Sequence, residues 1–169
     1  MTGRLSSGRG FTLVELMVTL ALVGLLAVAV PPLYEVTSTR MKETELRLAL
    51  RTIRTALDAY KAAVDSGAVP RETGDTGYPP SLSILEEGVE VGIKEATTLS
   101  GQPAAKRLLF LRRVPRDPFF ANTAVPADQT WDTRAYGSPP SAPQAGADVF
   151  DVTSKSTRAG LNGVPYSQW

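Results

Sequence analysis

Two hydrophobic patterns follow one another along the first 65 residues. Phe11–Val30 is apolar at nearly every position and carries a single charge, Glu15. As a helix this run would be about 30 Å long, one hydrocarbon thickness. Pro31-Pro32 interrupts it, and a different pattern begins. Leu46, Ala49, Leu50, Ile53, Ala56, Leu57, Tyr60 and Val64 recur at steps of three and four, while Arg47, Arg51, Arg54, Thr55, Asp58 and Lys61 occupy other positions. That spacing predicts an amphipathic helix with one apolar stripe. It runs from about residue 33 to Asp65 and stops at Ser66-Gly67. The stripe is too short and too irregular for a coiled-coil seam.

Downstream the pattern weakens. Gly67–Gly77 is turn-rich. Ser81–Gly88 reads as a short helix capped by Ser81 and ended by Gly88. Residues 89–105 carry little signal. Leu108–Leu111 is a short apolar run that fits either a strand or a helical turn. Val114-Pro-Arg-Asp-Pro-Phe119 predicts a rigid corner, because two prolines each fix φ. Thr130–Arg134 and Asp148–Thr153 read as strands on either side of a Ser/Pro/Gly-rich loop. No internal repeat is visible.

Composition removes most chemistry. The 169 residues include no histidine and no cysteine, which excludes disulfides, zinc fingers and Cys or His nucleophile–base pairs. Eighteen basic residues nearly balance seventeen acidic ones, so the strongly basic footprint of a nucleic-acid binder is missing. No phosphate-binding glycine loop is present.

The charge around the apolar run gives it a direction. Arg4 and Arg9 precede it without any acid, so the positive-inside rule keeps the N-terminus cytoplasmic and sends the remainder across the membrane. A simple signal anchor fits this pattern. So does a secretory signal with its small-x-small site at Ala27-Val-Ala29. Neither explains Glu15. A carboxylate in a membrane segment costs roughly 2.5–3.5 kcal/mol at mid-helix and less near an end, and it is by default a functional candidate.

Gly10-Phe-Thr-Leu-Val-Glu15 resembles the processing site of type IV pilins and pseudopilins. The resemblance implies that a prepilin peptidase cuts after Gly10 on the cytoplasmic side and N-methylates Phe11. The apolar run is then retained. It further implies that Glu15 neutralises the amino group of Phe11 in a neighbouring subunit; a buried carboxylate is tolerable when paired, and such pairing fixes register. Pro31 and Pro32 read as a kink or meltable segment in the helix, with a simple helix end as the alternative.

Several later segments are similar to the major, G-type pseudopilin of type II secretion. They are Arg51–Tyr60, Gly77-Tyr-Pro-Pro-Ser-Leu82, Arg113-Val-Pro-Arg-Asp-Pro118, Phe150-Asp-Val152 and Tyr166-Ser-Gln-Trp169. This resemblance implies an α+β, type IV pilin-like fold: a long N-terminal α-helix packed on a small antiparallel β-sheet head. The implied organisation is a cytoplasmic leader over residues 1–10, a transmembrane half-helix over 11–32, an amphipathic half over 33–65 and a periplasmic globular head over 66–169. The implied job is structural, not enzymatic. Subunits form a homo-oligomeric periplasmic pseudopilus at the bacterial inner membrane and work with minor pseudopilins and an inner-membrane assembly platform. A type IV pilus or competence-pilus subunit is the near alternative, and a periplasmic domain released from a cleaved signal peptide the distant one.

Typical G-type pseudopilins hold Ca²⁺ in a carboxylate-rich C-terminal loop. Calcium wants six to eight oxygens, several of them charged. Here Thr153–Gly163 has no Asp or Glu and carries Lys155 and Arg158. No cofactor is therefore expected, with Asp148, Asp151 and Asn162 the only remaining candidate ligands. Order in this loop would come from hydroxyl and main-chain hydrogen bonds with Trp169 packed beneath. Asp148 and Asp151 lack a catalytic partner, and in a strand a spacing of three puts them on opposite faces. The basic cluster Lys106, Arg107, Arg112, Arg113 and Arg116 reads as a solvated or subunit-facing surface, since stacking aromatics for nucleic acid are sparse there.

Overall fold

The apolar steps that end at Val64 are followed by Ser66-Gly67, and there the first helix stops. In the computed structural model, α1 spans Leu13–Asp65. Gly67 takes φ 76°, and the N–H groups of Gly67 and Ala68 reach back to Val64 and Ala63 at 2.9 Å. A left-handed residue with such backward bonds closes the orphan carbonyls of a helix C-terminus. The structure describes residues 10–71, 74–97 and 103–169, and side chains 28–33, 92–97 and 103–106 lie outside that description. The leader expected over residues 1–10 therefore lies, except for Gly10, outside the described residues.

α1 continues through Pro31 and Pro32, so the helix does not end at the prolines. The chain divides into two compact units, Met1–Arg40 and Met41–Trp169. In the first, the described apolar side chains of α1 have no packing partner: Leu13, Val14, Leu16, Met17, Leu20, Leu22 and Leu25 are all more than half exposed. Among the described residues no helix is long and apolar enough to cross a membrane.

The second unit carries the core. Every stripe residue from Leu46 to Val64 is buried, and Val69, Leu82, Leu85, Val114, Trp131, Val149, Val152 and Tyr166 pack with them in one cluster. Burial of each large apolar side chain contributes about 1.5–3 kcal/mol. Tyr60 meets Phe110 with ring centroids 5.1 Å apart, which places the Leu108–Leu111 run against the helix.

The remaining elements are α2 (Ser83–Glu87), β1 (Val89–Thr97), β2 (Pro103–Leu108), β3 (Trp131–Arg134) and β4 (Asp151–Ser154). The fold is α+β, a long N-terminal helix followed by small antiparallel sheets. Among the described residues the antiparallel strands form two two-stranded sheets, β1 with β2 and β3 with β4. Three local expectations also change. Ser81 does not cap α2; Leu82 holds that position without a side-chain bond, and the Ser81 hydroxyl pairs with that of Ser83 at 2.9 Å. In the stretch that carried little signal, β1 and β2 pair antiparallel, with Val89 opposite Leu108 and Gly92 opposite Ala105. β4 starts three residues later than expected, because Val149 instead donates its N–H to Pro79 at 2.8 Å.

Candidate functional site

At the N-terminal end, Gly10 is exposed and has no neighbour within 4 Å of where a Cβ would stand. Phe11 is 81% exposed. The peptide bond between them is thus free of packing by the rest of the described chain. Thr12 sits just before the first helical residue; its Oγ1 accepts the Glu15 N–H at 3.2 Å, and its carbonyl accepts the Leu16 N–H at 3.1 Å. Thr12-Leu-Val-Glu15 has the residue order of a capping box. Glu15 occupies the first turn of α1, where the helix dipole favours a carboxylate. Threonine three residues before the glutamate is the sequence signal for this local role. Pro31 and Pro32 lie inside α1, with their side chains outside the described residues.

A second constellation joins α1 to the last segment of the chain. Glu43 is only 5% exposed although it lies on a helix surface. Its Oε1 accepts the Leu161 N–H at 2.6 Å and the Tyr166 hydroxyl at 3.1 Å. Four residues on, the Arg47 guanidinium lies 4.3 Å from the centre of the Trp169 ring. Two turns further, Arg54 donates to Asp151 Oδ1 at 2.8 Å, to the Val152 carbonyl at 3.0 Å and to the Trp169 main-chain oxygen at 2.8 Å. Helix periodicity brings these positions onto one side of α1. Gly160 must be glycine at this junction: a Cβ there would come within 2.8 Å of the Trp169 ring and 3.0 Å of Glu43 Oε1.

Trp169 packs under the loop as expected, edge-on to Tyr166 at 5.1 Å, and hydroxyl and main-chain bonds contribute. The anchoring carboxylate, however, comes from α1. Glu43 was missed because its partners follow it by more than a hundred residues. Burial raises the Tyr166 pKa above its ordinary value of 10.0; the hydrogen bond to Glu43 and that residue's charge add to the rise, and Arg158 opposes it. Tyr60 is raised by burial and then by Asp75. Tyr78 is raised by burial and then by Asp58, against Lys61.

The other candidate acids serve as internal anchors. Asp148 and Asp151 do not share a strand, and neither merely solvates a strand edge. Asp148 accepts the Thr76 hydroxyl and the Tyr136 N–H at 3.1 Å. Asp151 lies between Arg54 and Arg134, the latter at 3.3 Å. Asn162 caps its own turn through the Val164 N–H. Asp117, in the double-proline corner, is 1% exposed and takes the Ser154 hydroxyl at 2.6 Å and the Phe119 N–H at 2.8 Å. Arg116 leaves the basic surface to hold the carbonyls of Val125 and Asn122, while Arg107, Arg112 and Arg113 stay exposed. Among the described residues no three Asp, Glu, His or Cys gather at metal-binding distance.

Comparison with known proteins identifies the N-terminal end of α1. Residues 5–31 match the prokaryotic N-terminal methylation motif. The chain is 33% identical over 94 residues to the type IV major pilin protein PilE of Neisseria gonorrhoeae, covering 53% of this chain and 55% of that one. It thus spans about half the length of this relative. No solved structure matches.

Proposed function

We propose that this chain, a member of the type IV pilin-like superfamily, is a structural subunit that polymerises into a periplasmic pseudopilus serving protein export by type II secretion. The observation that carries the reading is the methylation motif on an unpacked N-terminal helix. That motif implies membrane anchoring through the N-terminus. An apolar surface exposed on all sides of a helix needs lipid or other subunits to cover it. Cleavage after Gly10 keeps that surface, and methylation of Phe11 leaves an amino group for Glu15 of a neighbour to meet. In the membrane the segment over residues 11–32 spans once, with the N-terminus cytoplasmic and residues 66–169 periplasmic.

The secretion branch is supported by the segments that resemble the major pseudopilin. Tyr78, Leu82, Val114, Asp117, Val152 and Tyr166 of those segments are all buried, so the likeness lies in residues that determine the second unit's packing. In this reading the subunit has a structural job, and Glu43, Asp148 and Asp151 serve it through hydrogen bonds and ion pairs. Prepilin peptidase, minor pseudopilins and an assembly platform are the partners of this reading.

A second reading, a subunit of a type IV pilus, is favoured by the similarity to a major pilin. Deletion of the chain separates the two. Retention of normally exported enzymes inside the cell, with surface fibres intact, is the result expected of a pseudopilus subunit. Loss of surface fibres, motility or DNA uptake with normal export would establish the pilus reading instead.

A further inference from the structure

One side of α1 in the second unit carries an open groove of about 470 Å³. Trp169, Arg47, Arg51 and Arg54 wall it, Leu50 lies beneath, and Asp58 stands at its far end. The three guanidinium groups differ in their commitments. Arg54 is engaged by Asp151, Val152 and Trp169. Arg47 rests on the Trp169 ring and lies 4.0 Å from Glu43. Arg51 is exposed and has no hydrogen bond or ion pair among the described residues. A free guanidinium beside an aromatic wall and an apolar floor suits a carboxylate-bearing protein surface: the arginine fork matches a carboxylate, and Arg and Trp dominate protein contacts. Asp58 at the end of the row argues against a polyanion.

The chain carries a complementary corner. Glu86, Glu87 and Glu90 cluster where α2 passes into β1. Glu86 accepts the Val114 N–H at 3.0 Å. Glu90 stands opposite Arg107 in the β1–β2 register. Glu87 is exposed with no hydrogen bond or ion pair among the described residues. Glu87 thus offers a free carboxylate to match the free guanidinium of Arg51.

We infer that the Arg47–Arg51–Trp169 groove is the docking site for the Glu86–Glu90 corner of a second copy of this chain. The inference rests on the reading of the chain as a self-polymerising subunit. Groove and corner are different patches of one molecule, so the contact is heterologous and propagates from copy to copy instead of closing a two-fold dimer. Opposite charge on the two patches steers the encounter and disfavours contact between like patches.

Charge reversal in the full-length chain tests this. Arg51→Glu and Glu87→Arg each replace an exposed side chain, so both variants should melt at the wild-type temperature. Each alone should lower the yield of pelleted filaments by roughly tenfold, the equivalent of one lost ion pair at about 1.4 kcal/mol, and the combined variant should recover most of it. Single variants that assemble normally, or a combined variant no better than either, would overturn the contact. The absence of cysteine permits a second readout: filaments of Arg51→Cys/Glu87→Cys should give a covalent ladder on oxidation, and intact filaments without a ladder would also overturn it. Normal filaments from Arg51→Glu with loss of bound nucleic acid or of an exported acidic protein would assign the groove to another occupant. Failure of the unaltered chain to form filaments would sink the subunit reading itself, and this contact with it.

Discussion

The Glu43 carboxylate accepts the Tyr166 hydroxyl at 3.1 Å across a separation of 123 residues. With the Leu161 N–H bound to the same oxygen, one side chain of α1 fixes both limbs of the loop before Trp169. Hydrogen bonds to a charged acceptor contribute about 1.5–3 kcal/mol, and a buried donor left without one carries a similar penalty. Glu43→Ala should therefore lower unfolding free energy by about 3 kcal/mol. Glu43→Gln retains an acceptor oxygen and should cost less than half as much. Chemical denaturation of the two variants checks the order.

A similar argument applies to the corner at Asp117. Its removal strands the Ser154 hydroxyl and the Phe119 N–H inside the core. Asp117→Ala should destabilise by about 2–4 kcal/mol and Asp117→Asn by less. Both are measurable in the same denaturation series. Equal stability of Asp117→Ala and the unaltered chain would remove the corner from the account.

The three raised tyrosines set an alkaline limit. In the unfolded chain they ionise near pH 10, whereas in the folded chain burial holds Tyr60, Tyr78 and Tyr166 protonated to higher pH. Above pH 10 the unfolded state thus binds fewer protons than the folded state, and stability falls as pH rises through the folded values. The contribution is fully present below pH 10. Melting temperature should be flat for these groups from pH 8 to 9.5 and fall beyond 10. Tyr166→Phe should flatten that fall, and an unchanged slope would exclude Tyr166 from it.

The proposed pairing of Glu15 with Phe11 is separable from its place in the first turn of α1 by one substitution. In the capping box, Gln serves as well as Glu; in charge pairing with Phe11, it does not. Glu15→Gln should leave membrane insertion and processing intact and still block filament assembly. Normal filaments and normal export from Glu15→Gln would reduce Glu15 to a helix cap.

Loss of metal should matter little. With Lys155 and Arg158 in the loop and Glu43 holding it from α1, we expect the same melting temperature with and without a calcium chelator. A chelator-induced drop of several degrees would show a bound cation that stabilises the native state by mass action.

The long helix and its buried stripe were legible because period and burial coincide over many turns: each position from Leu46 to Val64 is placed by its own neighbours in sequence. β3 was legible for a similar local reason, with Trp131 flanked by polar residues. The hairpin of β1 and β2 was not. Val89, Val91 and Ile93 do alternate, but Gly92 and the helix-favouring Lys94-Glu-Ala96 blur the pattern, and Pro103-Ala-Ala has no alternation. The clamp was illegible for a different reason. Glu43 reads as a solvated helix residue until Leu161 and Tyr166 arrive from the far end of the chain. Asp117 likewise reads as a turn residue until Ser154 meets it.

The central claim is that residues 1–10 are removed and the apolar helix is kept. Mass spectrometry of the N-terminal peptide of the protein purified from its native membrane tests it directly. The account requires a mature chain that begins at Phe11 with one added methyl group. A chain beginning at Val30, as a signal peptidase acting after Ala29 would leave it, would contradict the account.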